Sequence, residues 1–240
     1  VLFRSYIHTI TLNRLKTKMD DDLKNSILKS GTTIVGIVCK DGVVMASDKQ
    51  STGGNIVMDK DSEKIKIINE YLAFAGTGMV SDIQRSIKLG AAELRIKELR
   101  SKSRPSVREG ANLIASLIYG SVRQPAMLQF MVGSLVGGVN ENGTAELYTI
   151  DPSGGIKKVE DYDANFGSGM PFVLGLLERQ YHKDISVEEG IKLAVESIKS
   201  STQRDLGSGY GIDVFKLTKN GIEKVVSQDI KATYEDSKKN

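Results

Sequence analysis

The stretch Thr32–Lys49, TTIVGIVCKDGVVMASDK, decides the fold. It holds two β-branched, apolar runs, Thr32–Cys39 and Val43–Ser47, on either side of Asp41-Gly42. That dipeptide accepts the positive φ angles of a tight turn, so the runs read as a β-hairpin. Outward from it, Glu63–Asn69 (EKIKIIN) alternates as a strand does, and Tyr71–Ala75 (YLAFA) follows after a single turn. Four strands are therefore expected before any helix. Ser81 is the expected cap of a helix reaching about Arg100, with Ile83, Ile87, Leu94 and Leu99 as its apolar positions. A second helix is expected after Pro105, with Val107, Ala111, Ile114 and Ile118 on one face. Met127–Val139 and Thr144–Ile150 read as strands joined through Asn142-Gly143. A third helix begins near Pro171. Ser186 and Glu189 have capping-box spacing for a fourth, which carries Ile191, Ala194 and Ile198 toward a core. Ile212–Leu217 and Ile222–Val226 close the chain as a hairpin around Asn220-Gly221. Helices arriving in pairs between groups of strands imply a layered α+β body, sheet on sheet with helices outside.

The chain has 240 residues, 40% hydrophobic and 26% charged, which fits a folded globular protein rather than a disordered one. Its apolar runs are short, so no membrane span is expected. A single cysteine, Cys39, excludes an internal disulfide and suits a reducing, cytoplasmic compartment. Charge is uneven: residues 1–31 carry six basic side chains against three acidic ones, and the other 209 carry 27 of each. The whole excess of +3 thus lies in an N-terminal arm. This arm is either a solvated tail or a segment to be removed. Arg4, His8 and Arg14 interrupt every apolar stretch in it, which is unlike a secretory signal, and translation is expected to start at either Val1 or Met19. A neutral body without tryptophan has no electrostatic footprint for nucleic acid.

Two histidines, His8 and His182, leave little scope for a metal centre or a Ser-His-Asp triad, and no metal or cofactor is expected. Gly76-Thr77-Gly78-Met79-Val80-Ser81 comes close to a dinucleotide fingerprint, but the third glycine is missing and hairpins stand where a βαβ unit is needed. It reads instead as a tight strand-to-helix turn. Gly31-Thr32-Thr33, where the charged arm meets the first strand, leaves two readings open. Either the threonines simply start a strand, or Thr32 is a nucleophile. A hydroxyl needs an adjacent base, and a free α-amino group, with a pKa near 8, serves once everything before the threonine is removed.

Taken in order, TTIVGIVCKDGVVMASDK, EKIKII, GTGMVSD, FGSGMPF and QRDLGSGYGID resemble the β subunits of the proteasome core particle, archaeal type, over residues 32–240. The spacings agree: 16 residues from Thr32 to Asp48, 32 to Lys64, and 37 from Ser168 to Asp205. The resemblance implies the N-terminal-nucleophile hydrolase fold, a four-layer αββα sandwich of two antiparallel sheets flanked by helix pairs. It divides the chain into a propeptide, residues 1–31, and a threonine endopeptidase domain, residues 32–240. Thr32 corresponds to the nucleophile, Lys64 to the lysine beside it, and Asp48 to the carboxylate that pairs with the lysine. Ser168, Asp205 and Ser208 correspond to the residues that orient the threonine, and Gly78 to the glycine whose N–H stabilises the oxyanion. Cleavage would fall between Gly31 and Thr32. Substrate would lie extended between Thr52 and Gly78, its side chain in a pocket of Ser51, Ser62, Lys66, Gly76, Val80 and Gln84.

The resemblance also implies partners: other β subunits in a seven-membered ring, a ring of α subunits, an ATPase acting through it, and unfolded polypeptides as substrates. Where many members of the family carry arginine, this chain has Gln50, so one supporting contact is expected to be lost. Lys66 would either favour acidic substrate side chains or face solvent. Cys39 and His182 match nothing catalytic. Two rival readings are a β subunit that is never processed and only fills the ring, and the related two-ring bacterial protease. The second is disfavoured by Arg204-Asp205 and Ser208-Gly209, and the first by the presence of Gly31, Thr32 and Lys64 together.

Overall fold

The computed structural model describes residues 31–126, 128–231 and Thr233; the N-terminal arm and its alternative start at Met19 lie outside them. The expected order of strands, helix pair, strands, helix pair and strands is found. Strands β1 (Ile34–Cys39), β2 (Gly42–Asp48), β3 (Ser51–Gly53), β4 (Ile56–Asp59), β5 (Ile65–Asn69) and β6 (Leu72–Gly78) precede helices α1 (Val80–Ser101) and α2 (Val107–Val122). Then come β7 (Val132–Val139), β8 (Ala145–Ile150), β9 (Ile156–Val159), β10 (Tyr162–Asp163), α3 (Met170–Gln180), α4 (Val187–Thr202), β11 (Gly211–Thr218) and β12 (Gly221–Asp229).

One sheet runs β10-β1-β2-β11-β12 and the other β5-β6-β7-β8-β9, every pairing antiparallel; β3 and β4 form a separate small ribbon. The Thr32–Lys49 hairpin puts β2 at the centre of its sheet, paired to β1 (Ile34 with Ser47) and to β11 (Asp213 with Ser47). Strands buried on both faces are apolar throughout, which is why β1 and β2 lack a clean alternation. Three apolar clusters make the layers. Ile34, Met45, Ala73, Leu135 and Leu147 meet between the sheets. Val35, Val44, Val173, Leu177 and Ile198 join the first sheet to α3 and α4, and Phe74, Leu94, Ile114 and Ile118 join the second to α1 and α2. Each such side chain removed from water contributes roughly 1.5–3 kcal/mol, which makes the αββα layering the main source of stability.

Several boundaries differ from the sequence reading. Six strands precede the first helix rather than four, because the short ribbon β3–β4 exposes Ile56 and Met58 and has too little apolar alternation to be read from sequence. Ser81 is not the cap of α1: Met79 occupies that position without a side-chain bond. Leu99 is 61% exposed rather than in the core, although Leu94 is buried as expected. The strand expected from Met127 begins at Val132 (Met127 is outside the described residues), and β9 and β10 were not anticipated. The capping box of α4 is present: Ser186 Oγ accepts from Glu189 N–H and the Glu189 carboxylate accepts from Ser186 N–H.

Antiparallel pairing gathers distant segments at one end of the sandwich. The start of β1 lies beside the end of β2, and the start of β5 beside the end of β6. Thr32, Asp48, Lys64 and Gly78 all sit at those strand ends.

Candidate active site

Asp48 ends β2 fully buried, and its carboxylate is surrounded by donors. Oδ1 accepts from Lys64 Nζ at 2.5 Å and from Thr33 N–H at 2.8 Å, and Oδ2 from the N–H groups of Gln50 and Gly209, both at 3.0 Å. Four donors on one buried carboxylate satisfy it and fix Lys64, which is itself 9% exposed. Burial pushes the Lys64 ammonium below the usual lysine range, and the carboxylates of Asp48 and Asp205 pull it back up.

On the other side of Thr32, its N–H donates to Ser168 Oγ at 3.0 Å. Ser168 and Ser208 each donate to Asp205 Oδ2 at 2.6 Å. These three residues come from the loop before α3 and the loop after α4, so two glycine-rich loops 37 residues apart in the chain converge on the start of β1. The glycines leave room for that convergence. An added Cβ on Gly169 would lie 1.8 Å from Thr33 Oγ1, and one on Gly167 would lie 2.4 Å from the Thr32 carbonyl oxygen. Gly31 has the same explanation: an added Cβ would stand 2.0 Å from Gly207 Cα. Glycine is demanded there by space against a neighbouring backbone.

Thr32 opens onto a cavity of about 780 Å³ that also includes Gly31 and Lys64. Every residue expected to hold substrate lines it: Ser51, Thr52, Ser62, Lys66, Gly76, Gly78, Val80 and Gln84. Met58, Ile83 and Ile87 add apolar wall that was not anticipated. Ile83 and Ile87, two of the apolar positions expected in α1, are partly buried against the second sheet's core and also line the cavity. Gly78 ends β6 at φ +113°, where an added Cβ would be 2.2 Å from the Met131 carbonyl oxygen; only glycine fits this turn. A smaller cavity of about 120 Å³, lined by Thr77, Gly78, Met131 and Phe166, also reaches Thr32.

A model of the proteasome subunit family matches residues 28–217. The chain belongs to the proteasome subunit family. As a proteasome subunit it is similar to β subunits of archaea. It is 43% identical over 194 residues to "Proteasome subunit beta" of Nanoarchaeum equitans, covering 81% of this chain and 96% of that one. "Proteasome subunit beta 2" of Pyrococcus abyssi is 43% identical over 202 residues (84% and 94%), and "Proteasome subunit beta" of Ferroglobus placidus 40% over 205 (85% and 95%). The β-type, archaeal resemblance and the αββα sandwich read from the sequence therefore hold.

In this proteasome subunit Gln50, where one supporting contact was expected to be lost, makes two contacts of its own. The Gln50 amide, 5% exposed, donates to the Leu206 carbonyl and to Thr52 Oγ1, both at 2.8 Å, and so ties β3 to the Asp205 loop. Lys66 does not stand alone, because its ammonium pairs with the Glu63 carboxylate on the cavity rim. Cys39 is buried, and burial, with Asp41 and Glu189 nearby, pushes its thiol up to about 12; His182 lies on the surface. Thr33 and Ser201, not singled out in the sequence, are fully buried beside Ser208. Among the described residues no group of side chains is arranged to hold a metal, and no helix is long and apolar enough to cross a membrane.

Proposed function

We propose that this chain is a threonine endopeptidase subunit of a proteasome core particle, made as a precursor whose residues 1–31 are removed by its own Thr32. The observation that carries the reading is the convergence on Thr32 of two polar systems, Asp48–Lys64 and Ser168–Asp205–Ser208, on the wall of the large cavity. In maturation, Thr32 Oγ attacks the Gly31 carbonyl, giving an ester that water hydrolyses to free the Thr32 amine. In the mature domain, residues 32–240, that amine takes the proton of the Thr32 hydroxyl as it attacks a peptide carbonyl. A cationic Lys64 beside them lowers the pKa of hydroxyl and amine, which favours the neutral amine near neutral pH. The Gly78 N–H supports the oxyanion, an acyl-enzyme forms with release of the amine product, and water completes the turnover. Substrate runs as an extended strand between Thr52 and Gly78.

The relatives named as proteasome β subunits support assembly with other proteasome subunits; to this the reading adds a seven-membered β ring, a ring of α subunits, a regulatory ATPase, and unfolded polypeptides as substrates in the cytoplasm. The chemistry uses no cofactor. The intact mass of the subunit from assembled particles tests it. A chain beginning at Thr32, with Thr32→Ala leaving residues before Thr32 attached and peptidase activity absent, supports the enzyme. Retention of those residues in assembled wild-type rings overturns it in favour of a subunit that only fills the ring.

A further inference from the structure

The hydroxyls around Thr32 form a chain whose direction can be derived from how many protons each member holds. Asp205, as a carboxylate, accepts only. Ser208 has one proton and gives it to Asp205 Oδ2 at 2.6 Å. Toward Thr33, whose Oγ1 lies 2.6 Å from Ser208 Oγ, it can therefore only accept. The single Thr33 proton is committed to that bond, so in its contact with Ser201 Oγ, Thr33 must accept and Ser201 must donate. On the other arm, Ser168 gives its proton to Asp205 at 2.6 Å, in preference to the Thr32 carbonyl at 3.3 Å, and accepts from Thr32 N–H. The result is one directed series, Ser201 to Thr33 to Ser208 to Asp205 from one side, Thr32 to Ser168 to Asp205 from the other.

Thr33 and Ser201 are fully buried, and neither lines the cavities that reach Thr32. Thr33 is held further by its N–H on Asp48 Oδ1 at 2.8 Å, so one residue touches both the Asp48–Lys64 pair and the Asp205 series. Gly169 lies directly against both hydroxyls, where an added Cβ would be 1.8 Å from Thr33 Oγ1 and 2.1 Å from Ser201 Oγ. The loop backbone is thus closed over the pair.

We propose that Thr33 and Ser201 are positioning residues for the nucleophile: by donating into Ser208, they set how strongly Asp205 is satisfied and hence how its charge acts on the Thr32 amine. This rests on the threonine-peptidase reading above. A hydroxyl that accepts a hydrogen bond donates a stronger one. With Thr33 donating, Ser208 neutralises more of the Asp205 charge; without it, the carboxylate is freer to stabilise an ammonium at Thr32. An ammonium cannot accept the hydroxyl proton. The other titratable groups around Thr32 are Asp48 at the end of β2 and Lys64 before β5, with Asp59, Asp61, Glu63 and Lys66 across the cavity, and the substitutions below touch none of them.

The test uses assembled, processed core particles carrying Thr33→Val, Thr33→Ser or Ser201→Ala, with kcat and KM for a peptide substrate followed against pH. Thr33→Val keeps the shape and removes the donor. It should lower kcat at neutral pH by up to about threefold, the most that a half-unit shift of the limb gives, with KM unchanged. The acid limb of its kcat profile should move to higher pH by about half a unit. Ser201→Ala should shift the limb in the same direction by less, and it keeps the test open if Thr33→Val fails to assemble, since alanine suits a helix. Thr33→Ser should restore both kcat and limb. An unmoved limb in Thr33→Val, or in Ser201→Ala if only that variant assembles, overturns the proposal. A defect that Thr33→Ser does not repair also overturns it, because the hydroxyl by itself would then not set the limb. Wild-type particles with no peptidase activity would instead remove the peptidase reading, and this proposal with it.

Discussion

Asp48 Oδ1 lies 2.5 Å from Lys64 Nζ, and the same carboxylate holds the backbone of Thr33, Gln50 and Gly209. One buried side chain therefore fixes Lys64, Thr33 next to Thr32, and the loop carrying Ser208. Replacing Asp48 by Asn removes the charge and faces an amide NH₂ toward existing donors. A lysine left buried without its carboxylate is costly, about 3 kcal/mol by comparison with other broken buried pairs. Its pKa, already depressed by burial, should fall further. The expected outcome for Asp48→Asn is lower thermal stability together with loss of peptidase activity. A variant that retains wild-type turnover would show that Lys64 does not need its partner.

Gly31 and Gly207 exclude side chains from each other, since an added Cβ on either would come within 2.3 Å of the other's backbone. Gly31→Ala should therefore displace the cleavage junction and slow removal of residues 1–31 without altering the mature chain. Intact-mass time courses after expression would record the precursor persisting. Maturation at the wild-type rate would mean that the loop moves aside at no cost.

Glu63 pairs with Lys66 on the cavity rim. With Lys66 so paired and Met58, Val80, Ile83 and Ile87 as apolar wall, the pocket should prefer apolar side chains. Glu63→Gln leaves Lys66 unpaired and should raise kcat/KM severalfold for substrates with an acidic residue before the scissile bond. Lys66 holds the Glu63 carboxyl below its ordinary value of 4.5, so the wild-type preference should stay constant as pH falls toward that value. Equal acidic-to-apolar ratios in wild type and Glu63→Gln would place the determinant elsewhere.

The capping box of α2 gives a stability prediction. The Glu109 carboxylate accepts from Lys97 Nζ at 2.7 Å and from Ser106 N–H at 2.9 Å, and these hold its carboxyl down to about 2 from an ordinary 4.5. Its folded pKa is depressed, so its contribution is present above pH 4.5 and is lost as pH falls toward 2. Because the group is half exposed, that contribution is discounted to no more than about 1 kcal/mol. Denaturant unfolding of Glu109→Gln should give a shallower loss of stability than wild type between these pH values. Parallel curves would assign the acid sensitivity to other carboxylates.

The hairpin of β1 and β2 was legible because Asp41-Gly42 interrupts two apolar runs, and α4 because Ser186 and Glu189 sit at capping spacing. Such signals act over a few residues, and neighbours in sequence carry them. The ribbon β3–β4 was not legible, since its apolar residues Ile56, Val57 and Met58 are exposed rather than packed into a core. Lys66 could be found but not interpreted, because the charge that matters to it is on Glu63 across a strand end. Gln50 was read as a loss from its residue type alone, yet its amide reaches Leu206, which is 156 residues away in the chain.

By itself, then, the sequence determined the order of strands and paired helices, the charged arm ending at Gly31, and the family to which the spacing of Thr32, Asp48, Lys64, Ser168 and Asp205 belongs. Those are matters of local propensity and of residue type at a given interval. Only the tertiary structure decided which way the hydroxyl chain runs and why Gly31 must be glycine. Proton direction depends on which donors and acceptors meet, and close approach on which backbones pack. Both are settled when antiparallel strands bring loops from opposite ends of the chain to the start of β1.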